Sequence, residues 1–433
     1  MPEHHDIIII GAGTAGLAAA NKLHRDCILL ESEDRPGGLM RSKVINGYTF
    51  DWAGHIFFTS IPRIQAWVQS LLPDNLIDHQ RESWIFSKGV YTRYPFQANT
   101  YGLPVDVVKE CLMGLIEAHQ TPRQAPPAHF LDWILHTYGK GIARHFMVPY
   151  NEKIWGRDLR TMSYTWLEGR VPRPGLSEFI DGALAEGRRD MGPNARFQYP
   201  RTGGMQSLAD ALARPVSSTI RLNTPVTRID PVAHTLQTGT GEVFSYTELI
   251  VTAPLPALAG MTDSMPDDLR REAESLAFLP VICVNVGIRR PEITEKHWIY
   301  YPEPEFLFHR IFVQGNASPT VCPPGSFSFT AEITVSESKR VDPSRSGDRT
   351  VNDAIAAGLI SRNDGIECVD TITIPYGYVV PTDDMTARVD RIRQYYESFG
   401  IHLAGRFAEW KYYNMDHALD AGWTLADTLS GRR

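Results

Sequence analysis

The stretch Asp6-Ile-Ile-Ile-Ile-Gly11-Ala-Gly13-Thr-Ala-Gly16 decides the fold. Its four isoleucines are too few to cross a membrane and too β-branched for a comfortable helix, so they predict a central parallel strand. The glycine spacing is typical of a dinucleotide-binding turn. Gly11 allows the turn, Gly13 allows a pyrophosphate to approach, and Gly16 allows the next helix to pack on the strand. A glycine turn without a ligand is the alternative, because this spacing also occurs in ordinary loops.

A second apolar strand strengthens the dinucleotide interpretation. The stretch Cys27-Ile-Leu-Leu30 leads into Glu31 and Ser32, about 20 residues after the glycines, where a carboxylate can accept a ribose hydroxyl. Glu31 disfavours a cofactor with a 2′-phosphate. A second glycine pair, Gly37 and Gly38, marks another close approach of the backbone and favours FAD over a freely exchanging nicotinamide.

Composition and charge restrict the class of protein. The 433 residues are 43% hydrophobic and 21% charged, which is typical of a globular protein with two or three interleaved domains. A formal net charge of −7 gives no basic footprint for nucleic acid. Five scattered cysteines without C-x-x-C spacing argue against disulfides or a structural metal and fit a reducing cytoplasm. Because no apolar run approaches about 18 residues, we expect no membrane span. Because a predicted strand begins within a few residues of the N-terminus, we expect no signal peptide.

The middle of the chain is predicted to combine a hairpin, helices and further strands. A hairpin over 44–51 delivers Gly54 and His55, and glycine beside histidine and aromatic residues suits a flat ring packed against backbone. A buried hairpin end with a hydrogen-bonded histidine is the alternative. The predicted helices lie at 64–72, 105–118 and 130–138, the strands at 220–230 and 242–253, and the least ordered stretches at 121–128 and 336–350.

Two further groups of side chains are candidates for ligand contact. Tyr94, Phe96 and Gln97 offer an aromatic platform with an amide that can recognise the edge of a base. Simple membership of the core is the alternative for these aromatics. Because the net charge is negative, an anionic ligand must be held by local arginines, although any single arginine is equally consistent with the surface.

Several motifs together resemble a known family. In chain order they are Pro149-Tyr-Asn-Glu-Lys-Ile-Trp155, Arg170-Val171, Gly192-Pro-Asn194, Trp298-Ile-Tyr300, Phe308-His-Arg310, Val335-Ser-Glu337 and Gly405-Arg406-Phe407. They resemble the UDP-galactopyranose mutases, and the eukaryotic-type branch more than the short bacterial one. The resemblance implies an α/β fold, with a Rossmann-like FAD-binding domain, a helical insertion and an antiparallel sheet domain. The implied boundaries are 1–100, 201–275 and 386–433 for the FAD-binding domain, 101–200 for the mostly helical substrate domain and 276–385 for the antiparallel sheet domain.

The resemblance also implies an isomerase that uses reduced FAD without net redox change. In that mechanism the flavin N5 attacks the anomeric carbon, displaces the nucleoside diphosphate and forms an N5–sugar adduct, and the sugar recloses as a furanose. The default substrate pair is UDP-galactopyranose and UDP-galactofuranose, and NAD(P)H is the candidate external reductant.

Individual residues receive roles from the same resemblance. The implied catalytic residues are Arg170 and Arg310 on the diphosphate and His55 beside the flavin. The implied substrate-binding residues are Arg81, Tyr94, Phe96, Gln97, Asn151, Trp155, Tyr300, Tyr378, Tyr412 and Asn414. The implied FAD-binding residues are Gly11, Gly13, Gly16, Glu31, Ser32, Gly37, Gly38, Gly54, His55, Gly405 and Arg406.

Three alternatives stay open on sequence alone. One is a mutase that acts on another nucleotide sugar, such as a GDP-linked 6-deoxyhexose. A second is a flavoprotein oxidoreductase like the amine oxidases or protoporphyrinogen oxidases, which share the glycine motifs. The pair Arg170 and Arg310 argues against an oxidase, because such enzymes have no diphosphate to bind. The third is a nucleotide-sugar-binding protein without flavin.

Overall fold

The computed structural model describes residues 2–121, 125–167, 171–187 and 195–431. The strands are β1 (Glu3–Ile10), β2 (Cys27–Leu30), β3 (Ser42–Ile45), β4 (Tyr48–Asp51), β5 (Leu76–Gln80), β6 (Ser83–Ser87), β7 (Val90–Arg93), β8 (Arg196–Pro200), β9 (Ile220–Arg221), β10 (Val226–Asp230), β11 (Thr235–Thr238), β12 (Val243–Val251), β13 (Phe278–Arg289), β14 (Trp298–Tyr300), β15 (Arg310–Phe312), β16 (Phe327–Thr334), β17 (Gly365–Val379) and β18 (Ile401–Leu403). The α-helices are α1 (Thr14–Lys22), α2 (Pro62–Leu71), α3 (Val105–Gln120), α4 (Phe130–Ile142), α5 (Val148–Trp155), α6 (Leu176–Leu184), α7 (Gln206–Ala213), α8 (Leu255–Met261), α9 (Asp267–Glu274), α10 (Pro343–Ala356), α11 (Met385–Glu397) and α12 (Met415–Leu429).

The first sheet is built around β1. Its order is β10-β11-β12-β1-β2-β9, and β18 pairs with the carboxyl-terminal end of β12 on the side away from β1. The strand β1 pairs in parallel with β2 and β12, and β18 pairs in parallel with β12. Ile7, Ile8 and Ile9 are 0% exposed, as a strand covered on both faces requires. The predicted strand, glycine turn and helix are therefore confirmed, and so is the α/β fold class.

One predicted strand is wrong. The stretch 220–230 contains two strands: β9 pairs with β2, whereas β10 pairs with β11. The chain turns between them at Asn223, which has a φ of 52°, and Pro225 lacks the N–H that a continuous ladder needs.

The second sheet has the order β17-β13-β16-β15-β14-β6-β7. The long strand β13 is antiparallel to both neighbours, and the parallel pair β14 and β6 joins the β6–β7 hairpin to the sheet. That hairpin turns at Lys88 and Gly89, which have φ values of 53° and 79°. Strands from early and late in the chain thus meet in one sheet, while the domain boundaries given above stay predictions.

Helices α3 to α6 form the layer predicted as a helical insertion. Within the described ranges, no helix has both the length and the apolar character needed to cross a membrane. The prediction of low order over 336–350 is wrong in its second half. Asp342 caps α10 by accepting from the Ser344 N–H at 2.9 Å, and Pro343 occupies the first helical turn, where its missing N–H costs nothing. The stretch 121–128 is also predicted to be poorly ordered, and its residues 122–124 lie outside the described residues.

A buried carboxylate ties the early hairpin to the middle of the chain. Asp51, at the end of β4, is 0% exposed. It accepts hydrogen bonds from the Ser42 hydroxyl at 2.6 Å, the Tyr199 hydroxyl at 2.7 Å and the Met205 N–H at 3.0 Å. Gly204 precedes Met205 with a φ of 61°, and a Cβ there would lie 2.8 Å from the Asp51 carboxylate. The 202–205 loop is therefore fixed by packing against Asp51.

We expect Asp51→Ala to lower the free energy of unfolding by roughly 3 kcal/mol, because it leaves two hydroxyls and a backbone N–H buried without this acceptor. Tyr199→Phe removes one of these bonds and should cost about 1 kcal/mol. Asp34→Ala, on a side chain 69% exposed, is the control and should stay within about 0.5 kcal/mol of the parent protein. Denaturant unfolding of the three variants checks the order, and equal stability of Asp51→Ala and Asp34→Ala would contradict it.

Candidate active site

A cavity of about 970 Å³ lies between the two sheets and the helical layer. The carboxyl ends of the parallel strands form one end of it, the second sheet forms the other end, and α4, α5 and the turn between them form a side wall. The predicted site residues that line the cavity are Gly11, Gly13, Glu31, Ser32, Gly38, Gly54, His55, Arg81, Tyr94, Gln97, Asn151, Trp155, Tyr300, Arg310, Tyr378, Gly405, Arg406, Tyr412 and Asn414. The structure thus brings most of the predicted residues together.

Three of the predicted residues that the structure describes do not line this cavity. Gly16 is packed behind the turn, where a Cβ would lie 1.9 Å from the Gly11 carbonyl oxygen. Gly37 donates its N–H to the Ala12 carbonyl at 2.8 Å and so supports the turn from behind. Phe96 is fully buried in the core. Arg170, and Asn194 of the quoted motif, lie outside the described residues.

The turn after β1 has the geometry of a phosphate site. Gly11 has a φ of 96°, which favours glycine, and Gly13 precedes α1 without any side-chain cap or acidic residue in the first turn. The N–H groups that begin α1 are therefore available to an anion. Gly38 approaches so closely that a Cβ on it would lie 3.1 Å from the Gly13 Cα, so the two glycine segments pack backbone against backbone.

The strands β2 and β18 complete this end of the cavity. Glu31 is 6% exposed, and its carboxylate accepts from the N–H of Ala12 at 2.7 Å and of Glu33 at 3.0 Å. These bonds fix the carboxylate beside the glycine turn. Arg406 donates to the Tyr413 carbonyl at 2.6 Å, which holds the segment after β18 against the start of α12.

The loop that carries His55 is tightly constrained. Ala53 has a φ of 69°, and a Cβ on Gly54 would lie 2.5 Å from the Trp298 ring. Burial lowers the pKa of His55, which keeps the imidazole neutral near pH 7. Its Nδ1 is buried and has no hydrogen-bond partner among the described residues. The ring lines the cavity, and its Nδ1 has a hydrogen-bonding capacity that the described protein atoms do not use.

At the opposite end, two arginines are held by the second sheet. Arg310 donates from Nε and Nη2 to Glu332 Oε2 at 2.9 and 2.6 Å, and from Nη2 to the Tyr378 hydroxyl at 2.8 Å. Arg81 donates to the Tyr300 hydroxyl at 3.0 Å. The surface alternative is wrong for both, since both line the cavity.

Aromatic side chains form the wall between the two ends. Tyr94 stacks on Tyr300 with ring centroids 5.1 Å apart. Phe96 is 0% exposed and stacks on Phe146 at 4.9 Å, so Phe146 and not Phe96 lines the cavity. The platform predicted at Phe96 therefore lies one layer too deep, because the 3₁₀ turn at 96–98 directs its ring into the core.

Three of the remaining predicted residues carry amides. Gln97 donates from Nε2 to the Pro172 carbonyl at 3.1 Å, which leaves its buried Oε1 without a partner among the described residues. Asn151 donates to the Met147 carbonyl at 2.7 Å within its own helix. Asn414 is the residue before α12 and makes no side-chain cap there.

Comparison with known proteins decides the family. A family model described as flavin containing amine oxidoreductase matches residues 14–326. A crystal structure of reduced UDP-galactopyranose mutase is similar to 99% of this chain and to 94% of that chain, with 30% identity and a TM-score of 0.94. This chain belongs to the UDP-galactopyranose mutase family of flavoenzymes.

Other matches show the fold alone. A putative protoporphyrinogen oxidase from Exiguobacterium sp. 255-15 matches 100% of both chains at 17% identity with a TM-score of 0.74. A putrescine oxidase bound to putrescine matches 100% of both chains at 18% identity with a TM-score of 0.69. An uncharacterized protein in the nifH2 3′ region of Methanothermococcus thermolithotrophicus is 44% identical over 52 residues, which are 11% of this chain and 50% of that protein.

The end of the cavity at the glycine turn fits the flavin that this family carries. Two glycine segments in backbone contact, uncapped helical N–H groups and a fixed carboxylate are the groups that hold a dinucleotide. The cofactor is therefore a flavin, and FAD fits the dinucleotide turn.

Sequence reasoning missed several lining residues of this mutase-family chain. They are Phe146, Tyr150, Trp166, Thr224, Pro225, Val226, Thr252 and Glu332. Pro225 offered a signal, because a proline inside an alternating pattern argues against one continuous strand. Glu332 offered another, because a lone carboxylate within the strand β16, which carries no other charged residue, requires a buried partner.

The glycines allow flavin binding to be separated from folding. A Cβ on Gly13 meets no protein atom closer than 3.8 Å, so Gly13→Ala should fold yet place a methyl group where the pyrophosphate approaches. We expect FAD affinity to fall about tenfold or more with unchanged far-UV circular dichroism. Gly260→Ala, with open space around its Cβ, is the matched control and should bind FAD normally. Flavin absorbance per protein after reconstitution measures the difference, and full FAD occupancy in Gly13→Ala would contradict this assignment of the turn.

Proposed function

We propose that this protein is an isomerase that interconverts the pyranose and furanose forms of a nucleotide-diphosphate sugar with reduced FAD, with UDP-galactopyranose and UDP-galactofuranose as the default pair. The observation that carries the proposal is a single cavity with two anion-binding ends. One end has the glycine turn for the cofactor pyrophosphate, and the other has Arg310 and Arg81 for a second diphosphate. The name of the similar mutase, which was crystallised in its reduced form, supports both the substrate class and the redox state.

When bound, the reduced flavin supplies a nucleophilic nitrogen for the anomeric carbon. The residues that would hold it are the two glycine turns, Glu31, the loop at His55 and the Gly405–Arg406 segment. Because the imidazole of His55 is neutral and its Nδ1 is unused by the protein, it is suited to exchange a hydrogen bond or a proton with a sugar hydroxyl or the ring.

The arginines act on the leaving group. A departing nucleoside diphosphate develops negative charge, and charge-assisted hydrogen bonds from fixed guanidinium groups stabilise that charge strongly in a cleft with little water. Arg310 is fixed by two acceptors, so little reorganisation is required when the charge appears. Tyr300 and Tyr378 place hydroxyl groups beside these arginines. Arg170 is proposed as the second diphosphate arginine on the resemblance of its motif.

Aromatic side chains line the part of the cavity that joins its two ends. Tyr94, Trp155 and Tyr412 line it, together with Asn151 and Asn414, and Gln97 presents a buried acceptor oxygen that suits an N–H group of a base. Aromatic rings along the cavity leave less room for water, which limits hydrolysis of an activated sugar. NAD(P)H as external reductant and a cytoplasmic location complete the proposal.

The alternative functions differ in the ligand that the Arg310 and Arg81 end of the cavity must bind. A mutase for another nucleotide sugar, such as a GDP-linked 6-deoxyhexose, would use the same diphosphate residues, so it is the nearest alternative. An oxidase like the amine or protoporphyrinogen oxidases would have no second diphosphate for Arg310 and Arg81 to bind. A panel of nucleotide sugars incubated with dithionite-reduced protein, analysed by chromatography for furanose, separates these cases.

Arg310 provides the most direct test of the leaving-group assignment. We expect Arg310→Ala to lower kcat by about 30- to 1000-fold, because it removes about 2–4 kcal/mol of transition-state stabilisation. Arg310→Lys should recover only part of the rate, since an ammonium cannot supply the planar two-point fork, although it still pairs with Glu332. Arg345→Ala, on a side chain 89% exposed, is the control and should retain the parent kcat. Parent turnover in both Arg310 variants at full FAD occupancy would refute the assignment.

The redox requirement gives a second test. Turnover should need reduced flavin but consume no reductant, because the flavin returns to its starting state after each conversion. Product formed per equivalent of dithionite, measured anaerobically, should therefore greatly exceed one. Full activity of the air-oxidised protein, or one reductant consumed per product, would exclude the proposed chemistry.

A further inference from the structure

Glu332 is a buried carboxylate that the proposed chemistry does not use. It lies within β16, is 1% exposed and lines the cavity. Arg310 on β15 is its direct cross-strand neighbour. Burying a carboxylate is costly unless it is paired and hydrogen-bonded, so its partners indicate what it does.

One oxygen of Glu332 fixes the plane of Arg310. Oε2 accepts from Nε and Nη2 of Arg310 and from the Tyr378 hydroxyl at 3.2 Å. With its Nε and Nη2 edge occupied, the guanidinium cannot rotate about its long axis. His309 Nε2 lies 3.9 Å from the same oxygen, and burial lowers the pKa of His309, so that imidazole stays neutral. Arg310 therefore supplies the charge that compensates Glu332.

The other oxygen of Glu332 holds the loop at the flavin end. Oε1 accepts the Gly54 N–H at 3.1 Å, directly beside His55. One carboxylate thus joins the loop that borders the flavin pocket to the arginine that faces the leaving group.

The chemistry of the partners explains why the residue is a glutamate. The Gly54 N–H and the Arg310 guanidinium are donors only, so each needs an acceptor oxygen. A carboxylate has two such oxygens, whereas an amide of the same shape has one. Glutamine at this position would therefore satisfy either the loop or the arginine, but not both.

The charge of Glu332 acts against diphosphate binding. A negative carboxylate in contact with Arg310 repels an anion approaching the same arginine. Affinity for the substrate therefore does not explain why a carboxylate occupies this position. The hydrogen bonds of Glu332 to Arg310 and to the Gly54 N–H explain it. We propose that Glu332 is a positioning residue that sets the spacing between Arg310 and the Gly54–His55 loop, in exchange for weaker ground-state binding of the diphosphate. This inference rests on the proposed function, which assigns Arg310 to the leaving group.

The test is Glu332→Gln in the reduced holoenzyme, with kcat and UDP affinity measured separately. We expect kcat to fall at least about tenfold, because the arginine and the loop are no longer held together. We expect UDP to bind at least as tightly as to the parent protein, and up to several-fold tighter, because a repelling charge is removed. A residue with a merely structural role would lower kcat and UDP affinity together.

Three further variants sharpen the comparison. Glu332→Asp keeps the charge, but its side chain is one methylene too short to reach both partners. We therefore expect kcat to fall without any gain in UDP affinity. If Glu332→Gln does not fold, the result for Glu332→Asp tests the inference. Tyr378→Phe removes an uncharged partner of Arg310 and should weaken UDP binding. Glu274→Gln, on the exposed face of α9, is the control and should match the parent protein in both measurements.

The outcomes distinguish this inference from the proposed function. Parent kcat in Glu332→Gln or Glu332→Asp, with Arg310→Ala inactive, would overturn the role of Glu332 and leave the proposed function standing. A parallel loss of UDP affinity and kcat in Glu332→Gln would overturn it as well. A parent holoenzyme that neither binds UDP nor converts any nucleotide sugar would overturn the proposed function itself, and the inference with it.

Discussion

The parallel pairing of β1 with its neighbours is the constraint on which the rest of the structure depends. Strands β1, β2, β12 and β18 end at the same edge of the first sheet, so the residues that follow them meet there although they are far apart in the chain. Gly11, Glu31, Thr252 and Gly405 all line the cavity for this reason. Crevices at the carboxyl ends of parallel strands are the usual ligand sites of such sheets. The flavin half of the site is therefore a consequence of topology as much as of any single residue.

The second sheet contributes what topology alone does not supply. Its strands place Arg310, Glu332 and Tyr378 in one hydrogen-bonded group at the far end of the cavity, and Tyr300 is the cross-strand neighbour of Arg310. A buried ion pair is weak support for stability, because apolar residues of similar volume often serve the fold equally well or better. The pair of Glu332 and Arg310 is better explained by orientation: a charge on the cavity wall must be held still if it is to stabilise a leaving group.

How much of this could be predicted from sequence depends on how local each signal is. The strand, turn and helix around Gly11 are encoded by β-branched residues and by glycines a few positions apart, so they were predictable. The partner of Arg310 was not, because Glu332 lies on another strand and only the sheet register brings the two together. Phe96 shows the same limit, since its aromatic character was visible but the side to which its ring turns was not. Arg170 was found through a motif, and the described residues do not place it.

The oxidases of the same fold show where the chemistry is decided. A putative protoporphyrinogen oxidase and a putrescine oxidase match this chain over its full length at 17% and 18% identity, so the architecture tolerates nearly complete replacement of side chains. A shared architecture therefore does not select between electron transfer and sugar isomerisation. In this chain the cavity wall opposite the glycine turn carries two arginines with hydroxyl partners, and neutral His55 lies near Glu332. An isomerase that works without net redox change must stabilise a departing anion, whereas an oxidase must transfer electrons to an acceptor. Under the proposed function, the groups suited to that task are Arg310 on the second sheet, Arg81 between β5 and β6, and the loop that Glu332 holds.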